Sequence, residues 1–313
     1  MPELQRSVWA LPCDDASVRH LCGVIRPVGW ARIGRSLPTL AQAGPNLVAD
    51  PTQSVLLYKC FEAVFNGPPD YPPQQIGDCV SFGHGHALDA LQVVECYLGQ
   101  LDQSVIHRAG TEFIYGAARK VSNDLGNFDG SYGGAAIKAL TTVGAVSYAE
   151  YAQAGETTAY EGSRAKQWGR TGPPAALEAI AASHKLGAGA LLTGTDDMIA
   201  ALQNGHPCTI CTARGFTMVR DATGACKLSG RWGHCMHVTA YRGTDSKMPP
   251  AFCVIQSWGP DQPTGPLVLD QPSYSFWSFV PDMAQIIDEG DSFALAGAPG
   301  FAPKAMPPEL TAA

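Results

Sequence analysis

The sequence lacks the features that mark secreted, membrane-spanning and nucleic-acid-binding proteins. Neither its first twenty residues nor any later stretch holds an apolar run of signal-peptide or membrane-span length. Charged residues make up only 16% of the 313 residues and the net charge is −7, so no basic surface is expected for nucleic acid or for an anionic membrane. We therefore expect a cytoplasmic protein, or one carried in a particle assembled in the cytoplasm.

Motifs for nucleotides and metals are also missing. No glycine-rich stretch matches a phosphate loop or a dinucleotide fingerprint. His84 and His86, with Asp89, come nearest to a metal cluster, but helical residues two apart point to different faces. Cys208 and Cys211 have zinc-ligand spacing without a second pair, so we interpret them as buried thiols. We expect neither a cofactor nor a metal.

What the chain does contain is enough apolar sequence for a large core. Apolar residues make up 45% of it, and its 34 glycines and 24 prolines are dispersed among apolar segments, which indicates many turns rather than disorder. Ten cysteines in a large chain without a secretion signal are interpreted as mostly buried thiols. One of them is a candidate for catalysis.

Helical patterns fill the first part of the chain and strand patterns the last. Thr195 is predicted to cap a short helix. The order of helices before strands predicts an α+β fold of two segregated lobes, with the chemistry in the cleft between them. Helices are predicted over 54–65, 79–99, 111–121, 133–144 and 173–186, and strands over 208–216, 235–241, 251–258 and 274–280.

Composition and pattern divide the chain into four parts. They are an N-terminal extension (1–72), a helical lobe (73–190), a β-rich lobe (191–300) and a Pro/Ala-rich tail (301–313). The extension is interpreted either as a segment that packs on the lobes or as a pro-like segment. In the β-rich part, the acidic run of Asp288, Glu289 and Asp291 is predicted to be a solvated turn.

Cys79 stands where the turn-forming stretch PPQQIGD ends and a helix of small residues begins. A helix N-terminus lowers the pKa of a thiol, because unpaired N–H groups and the helix dipole favour negative charge. Asp78 is a plausible N-cap, although its carboxylate would oppose ionisation of the thiol. Gly83 and Gly85 leave the first turns narrow, so another element can approach closely. Cys79 is therefore the candidate nucleophile.

Two late segments add a histidine and an amide: GRWGHCMHVTAYRG (230–243) and AFCVIQSWGP (251–260). A cysteine on an early helix, followed by a histidine and an amide on late strands, resembles the papain-like cysteine peptidases, in a bacterial or phage-type branch. The resemblance runs from about residue 74 to 300. It implies a papain-like two-lobed fold, a helical lobe plus an antiparallel β-barrel-like lobe, with the active site in the cleft.

The resemblance also implies a catalytic triad. Cys79 takes the place of the nucleophile, His234 that of the base, and Gln256 that of the orienting asparagine. The family's histidine is followed seven residues later by a tyrosine, and His234 keeps this spacing with Tyr241. His237 does not, so we interpret it as a packed strand histidine. A glutamine carbonyl can still accept a hydrogen bond from the imidazole, on a longer arm.

Further residues follow from the same resemblance. Trp258 corresponds to the tryptophan that shields the histidine from water, and Gly133 with Gly134 resemble the glycine pair that lines a substrate pocket. The family's oxyanion-hole glutamine lies six residues before the nucleophile. Gln74 and Gln75 lie five and four residues before it here, and Gln74 is favoured as the donor to the oxyanion.

Two functions remain open from the sequence. The first is a cysteine peptidase or related amide hydrolase that acts on a peptide or protein through a thioester acyl-enzyme. The second is a catalytically idle protein of papain-like fold that serves as a structural or binding component of a larger assembly, such as a phage virion. The replacement of asparagine by Gln256 and the shifted position of Gln74 favour the second.

Overall fold

The N-terminal part of the chain carries short elements. A computed structural model describes residues 10–311, so residues 1–9 of the predicted extension and 312–313 of the predicted tail lie outside it. The predicted helix over 54–65 is only partly right, because Val55 and Leu56 instead pair with Tyr241 and Ala240 as a strand. The elements are α1 (Ala31–Arg35), α2 (Leu40–Ala43), β1 (Val55–Leu56) and α3 (Lys59–Phe65).

The helical lobe follows the predicted helices closely. The last one ends several residues before the predicted limit of 186, and the helix over Gly162–Thr171 was missed because it is polar and begins without a capping side chain. The bounds are α4 (Cys79–Tyr97), α5 (Thr111–Val121), α6 (Gly133–Thr142), α7 (Gly162–Thr171) and α8 (Ala175–Ala181). The division of the chain into four parts stays a prediction.

Helix α4 is buried along its first turns because glycines let its neighbours come close. A Cβ on Gly83 would lie 2.7 Å from the sulfur of Cys235, and one on Gly85 would lie 3.0 Å from Cγ2 of Thr111. Both distances are shorter than ordinary van der Waals contact. The predicted close approach to the helix is therefore confirmed, and it presses the start of α4 against a strand of the other lobe.

The β-rich lobe is built on an antiparallel sheet with the strand order β2-β7-β3-β4-β5-β6, and β1 pairs with β4. The predicted N-cap Thr195 is wrong by one residue: Gly194 is the cap, and Asp197 accepts hydrogen bonds from the backbone and side chain of Thr193. The bounds are β2 (Ala188–Leu191), α9 (Thr195–Gln203), β3 (Cys208–Phe216), β4 (Leu228–Arg242), β5 (Ala251–Ile255), β6 (Ser275–Phe279), α10 (Val280–Ile287), β7 (Ser292–Ala296) and α11 (Pro308–Thr311).

Strand β4 contacts α4 on one side and the rest of the β-rich lobe on the other, because successive side chains of a strand point to opposite faces. Gly233 and Cys235 lie on the side that contacts α4, and Trp232 and His234 belong to the opposite side. Cys208 and Cys211 of the neighbouring strand are both buried, as predicted. Within residues 10–311, no helix has the length and apolar character needed to cross a bilayer.

The acidic run near the end of the chain is not a solvated turn, and that prediction is wrong for two of its three members. The carboxylate of Asp291 is buried and accepts hydrogen bonds from the N–H groups of Gly133 and Gly134 at 3.0 and 3.1 Å. Glu289 accepts a hydrogen bond from Arg26 at 2.5 Å. A carboxylate at the first turn of α6 meets unpaired N–H groups and a favourable dipole, which compensates for its burial.

Candidate active site

Cys79 is the first residue of α4, as predicted, and its side chain is fully buried. Its sulfur accepts a hydrogen bond from the N–H of Gly23 at 3.3 Å. Its thiol donates to the carbonyl oxygen of Gly233 at 3.8 Å. Gly233 precedes His234, so the sulfur lies against the peptide group that leads into the candidate base.

The surroundings of Cys79 keep its thiol neutral. Burial raises the pKa of the thiol well above its ordinary value, and a negative charge on Cys235 would raise it further. The backbone N–H groups of Cys235 and Gly23 lower this pKa but do not outweigh the burial. In this state the thiol therefore carries its proton and is a poor nucleophile.

Asp78 occupies the N-cap position without capping the helix through its side chain, contrary to expectation. Its Oδ2 accepts a hydrogen bond from the hydroxyl of Tyr160 at 3.0 Å. Burial raises the pKa of the Asp78 carboxyl well above its usual range. A protonated Asp78 places no negative charge beside Cys79, so the expected opposition to thiolate formation is weakened.

His234 is buried between aromatic rings. Its ring centroid lies 4.3 Å from that of Trp258, with the planes 31° apart, and 6.0 Å from that of Trp232. Neither ring nitrogen has a hydrogen-bond partner among residues 10–311, so no hydrogen bond joins His234 to Cys79 in this state. Burial lowers the pKa of His234 to about 3, and the imidazole is therefore neutral.

The amide of Gln256 lies beside this imidazole but forms its hydrogen bonds elsewhere. Its Oε1 accepts from the backbone N–H of Trp258 at 2.6 Å, and its Nε2 donates to the carbonyl of Gln262 at 2.5 Å. His234, Gln256 and Trp258 line a shared cavity of about 10 Å³. The structure thus brings these three together, and the link from Gln256 to His234 runs through Trp258.

Gln74 is buried, and both the nitrogen and the oxygen of its side-chain amide are engaged. Its Nε2 donates to the carbonyls of Leu21 and Ile76 at 2.8 and 2.7 Å, and its Oε1 accepts from the hydroxyl of Ser257 at 2.5 Å. Gln75 is exposed, and its Oε1 accepts from the N–H of Gly162. Gln74 is therefore the buried one of the two candidate oxyanion donors.

A segment that sequence analysis could not place covers Cys79. We call residues 21–25 the strap. Its Val24 N–H donates to the carbonyl of Gly233 at 2.9 Å. The backbone N–H of Ser131 donates to the carbonyl of Gly23 at 2.8 Å, and the Ser131 carbonyl accepts from the N–H of Ile25 at 2.9 Å. The strap is thereby held between the two lobes, directly over the thiol.

Only a glycine fits at the centre of the strap. A Cβ on Gly23 would lie 1.9 Å from the carbonyl oxygen of Gly77, which precedes Asp78 and Cys79 in the chain. This close approach allows the Gly23 N–H to reach the sulfur. The one sequence signal for it was the glycine itself, since no local pattern links residue 23 to residue 79.

Gly133 and Gly134 lie away from the strap. Their N–H groups bind Asp291, and a Cβ on Gly134 would lie 2.7 Å from the backbone nitrogen of Gly34 in α1. The strap pairs instead with Ser131, just before α6. In the described state these glycines contact α1 and the acidic run, and their role as a substrate pocket stays a prediction.

A second layer of sulfur and imidazole lies behind Cys79, and sequence analysis did not identify it. Cys235 pairs with Cys211 across β3 and β4, and its sulfur lies 3.9 Å from Nδ1 of His84. Burial would raise the pKa of Cys235, but hydrogen bonds from Cys211 and His84 outweigh it and lower this pKa to about 7. The charge on Cys235 in turn affects the pKa of the Cys79 thiol.

The histidines of α4 are used in packing rather than gathered around a common point. His84 bonds to the carbonyl of Val80 through one ring nitrogen and to the Thr209 hydroxyl through the other. His86 stacks on Tyr71 with ring centroids 3.5 Å apart. Within residues 10–311, no group of three His, Cys, Asp or Glu side chains is arranged to hold a metal ion.

Solved structures of cysteine proteases share this architecture. ProCathepsin B S9 from Trypanosoma congolense is 13% identical, with a TM-score of 0.57, covering 96% of this chain and 98% of its own. The chain has the papain-like fold. Xylellain, a cysteine protease from Xylella fastidiosa, is 18% identical with a TM-score of 0.53, and the match covers 93% of this papain-like chain and 96% of xylellain.

A third similar structure is the digestive procathepsin L2 proteinase from the larval midgut of Tenebrio molitor. It is 14% identical, with a TM-score of 0.54, covering 90% of this chain and 81% of its own. No protein-family model and no curated protein sequence matches the chain. At these identities the likeness establishes the papain-like fold alone.

Proposed function

We propose that this papain-like protein is a cysteine peptidase or related amide hydrolase, with Cys79 as nucleophile and His234 as base. One observation carries the proposal: Cys79 begins a buried helix, and its sulfur lies 3.8 Å from the carbonyl oxygen of the residue before His234. A thiol and an imidazole on adjoining elements are the two groups that thiol catalysis needs. The substrate would be a peptide or protein, and no cofactor takes part.

In the proposed reaction the proton of the Cys79 thiol passes to His234, and the thiolate attacks the carbonyl carbon of the substrate. Gln74 and the backbone N–H of Cys79 would donate to the resulting oxyanion. The C–N bond then breaks, and His234 gives its proton to the departing amine. The thioester left on Cys79 is hydrolysed by a water that His234 deprotonates, which restores the thiol.

The described state is a covered form of this site, and the strap has to leave before a substrate can enter. The strap holds the thiol through Gly23 and one amide donor of Gln74 through Leu21. Departure of the strap would admit water to the thiol, which lowers the pKa of Cys79 toward its ordinary value. A thiolate–imidazolium pair would also require the His234 ring to turn from the side of β4 that packs on Trp258 to the side that contacts α4.

The pH dependence of alkylation tests the proposed pair. Iodoacetamide labelling of Cys79 would be followed at pH 8 and pH 5.5 by peptide mass spectrometry, with the half-buried Cys96 as internal reference. Labelling of an ordinary thiol slows by about 300-fold over this interval, because the rate follows the thiolate fraction. An ion pair with His234 would keep the slowing of Cys79 labelling below about tenfold. Taking the ratio of the Cys79 rates at the two pH values removes the contribution of how often the strap opens.

His234→Ala is the matched variant, and it should give Cys79 labelling the steep pH dependence of an ordinary thiol. A Cys79 that already slows as much as Cys96 in the parent protein would overturn the proposed pair. That result would favour the second candidate, a catalytically idle protein of papain-like fold in a larger assembly such as a phage virion. The engaged amides of Gln74 and Gln256 are the observations that favour this alternative.

Localisation follows the same two candidates. We propose either the cytoplasm, for an enzyme acting on soluble proteins, or a particle assembled there, for a structural component. Neither candidate needs a nucleic acid or a membrane as partner, which agrees with the acidic net charge of −7.

A further inference from the structure

Cys13 and Cys22 face each other across a hairpin that leads into the strap. Ala10 forms an antiparallel bridge with Ile25, and the next pair inward adds a backbone hydrogen bond of 3.2 Å. Continued along both arms, this register places Cys13 opposite Cys22. The two thiols are near enough to influence each other, since burial and then the Cys13 thiol raise the pKa of the Cys22 thiol. The Cys13 thiol donates to the backbone carbonyl of Asp15 at 3.3 Å. Directly opposed residues have Cβ atoms about 4.5–5.5 Å apart, so the two arms would have to approach by about 1 Å to reach the roughly 3.5–4.5 Å of a disulfide.

Each arm of this hairpin is attached separately to β4. On the first arm, the backbone N–H of Asp14 donates to the carbonyl of Arg231 at 2.8 Å, and Arg231 returns a hydrogen bond to the Asp14 carboxylate at 2.8 Å. On the second arm, Val24 donates to the carbonyl of Gly233 at 2.9 Å. A covalent link between the arms would oblige both attachments to be released together.

We propose that Cys13 and Cys22 form a reversible disulfide that holds the strap closed over Cys79. The pair lies outside the proposed triad, and both cysteines are free thiols in the described state. As a control on catalysis the inference rests on the proposed function. As a covalent modification of the hairpin it stands without it.

The oxidant is a low-molecular-weight disulfide such as glutathione disulfide. The Cys22 thiol loses its proton, and the thiolate attacks one glutathione sulfur, breaking the S–S bond and releasing one glutathione thiolate. The Cys13 thiolate then attacks the Cys22 sulfur of the mixed disulfide and releases the second glutathione. Two protein thiols lose two electrons and two protons, and one glutathione disulfide is reduced to two glutathiones.

Exposure sets the order of these steps. Cys22 is half-buried, whereas the side chain of Cys13 is buried, so the first attack falls to Cys22. Burial raises the pKa of the Cys22 thiol, which makes exchange slow. A thiol of high pKa is also a poor leaving group, so the finished disulfide is slow to be reduced. The strap would then stay closed long after the oxidant has gone.

The test uses the full-length protein after incubation with glutathione disulfide or with reduced glutathione. Peptide mass spectrometry should find Cys13 joined to Cys22 only in the oxidised sample. Amide hydrogen exchange of the peptide covering the strap should slow by about tenfold, because a short covalent loop restricts the open state. Dithiothreitol should reverse both changes. Alkylation of Cys79 should slow by the same factor.

Cys13→Ser and Cys22→Ser should each abolish the effect of the oxidant, and Cys96→Ser, at another half-buried thiol, should leave it intact. A link from Cys22 to Cys79, the absence of any link, or a link without slower exchange in the strap would each overturn the inference. If the link forms and protects the strap while Cys79 proves catalytically inert, the proposed function fails and the disulfide stands.

Discussion

Replacing Gly23 by alanine should open the site. The new Cβ would lie 1.9 Å from the carbonyl oxygen of Gly77, whereas ordinary contact begins at 3.4 Å, so the two backbones must separate by about 1.5 Å. We expect the strap to be the side that moves, because Gly77 is joined through Asp78 to the buried first turn of the 19-residue helix α4. The substitution therefore displaces the strap and leaves the proposed catalytic groups unchanged.

A displacement of this size breaks two of the hydrogen bonds that close the strap. These are the Gly23 N–H to the Cys79 sulfur at 3.3 Å and the Ser131 N–H to the Gly23 carbonyl at 2.8 Å. At about 1 kcal/mol for each bond, the closed state loses about 2 kcal/mol relative to the open state. This free-energy difference corresponds to about a 30-fold higher population of the open state.

The assay is the rate of Cys79 alkylation by iodoacetamide at fixed pH, and we expect a rise of about 30-fold in Gly23→Ala. Gly67→Ala is the matched control, because a Cβ at Gly67 meets no atom within 4 Å. An unchanged rate in Gly23→Ala, with the fold intact by circular dichroism, would refute the conclusion that the strap controls access to the thiol.

Three further predictions concern the buried polar groups. Between pH 7 and pH 5, the free energy of unfolding should fall by about 2 kcal/mol more in the parent protein than in His237→Gln. Burial lowers the pKa of His237 to about 4, so the buried neutral imidazole destabilises the fold as the pH drops below the ordinary value of about 6.5. Arg164→Met should cost 3–5 kcal/mol in urea unfolding, about the usual cost of leaving a buried carboxylate such as Glu112 unpaired. Gln256→Ala should reduce peptide-hydrolysis kcat less than His234→Ala does, because it acts through Trp258.

Each of these predictions has an outcome that contradicts it. For His237→Gln it is a pH dependence identical to that of the parent protein. For Arg164→Met the control is the double variant with Glu112→Gln, which should be the more stable of the two, and equal stability would argue against an ion-pair cost. For Gln256→Ala, a loss of kcat as large as that of His234→Ala would mean that the amide contacts the imidazole directly during turnover.

The sequence predicted those parts of the fold that depend on local pattern. The start of the helix at Cys79 follows from a turn-forming stretch beside a run of small residues. The narrow face at Gly83 predicted the close approach of another element, which is the strand that carries Cys235. Strand-like runs that follow the helices along the chain, together with the resemblance, predicted the α+β architecture now seen in β3–β7.

The remainder depends on contacts between residues far apart in the chain. Nothing near Gly23 indicates that it fits between Gly77 and Cys79, since the fit exists only once both lobes have formed. The burial of Asp291 was missed for the same reason: an acidic run is usually solvated, and its partners lie on a helix that begins at Gly133. Local composition carries no information about such partners.

Direct capture of an acyl-enzyme would test whether Cys79 is the nucleophile. Gly23→Ala protein would be mixed with a pool of activated peptide esters, quenched in acid and analysed by mass spectrometry. We expect one acyl group attached to Cys79 and removable by hydroxylamine. It should be absent in Gly23→Ala/Cys79→Ala and form far more slowly when His234 is replaced by alanine. No adduct on Cys79, or equal adducts on Cys79 and Cys96, would contradict the role of Cys79 as nucleophile.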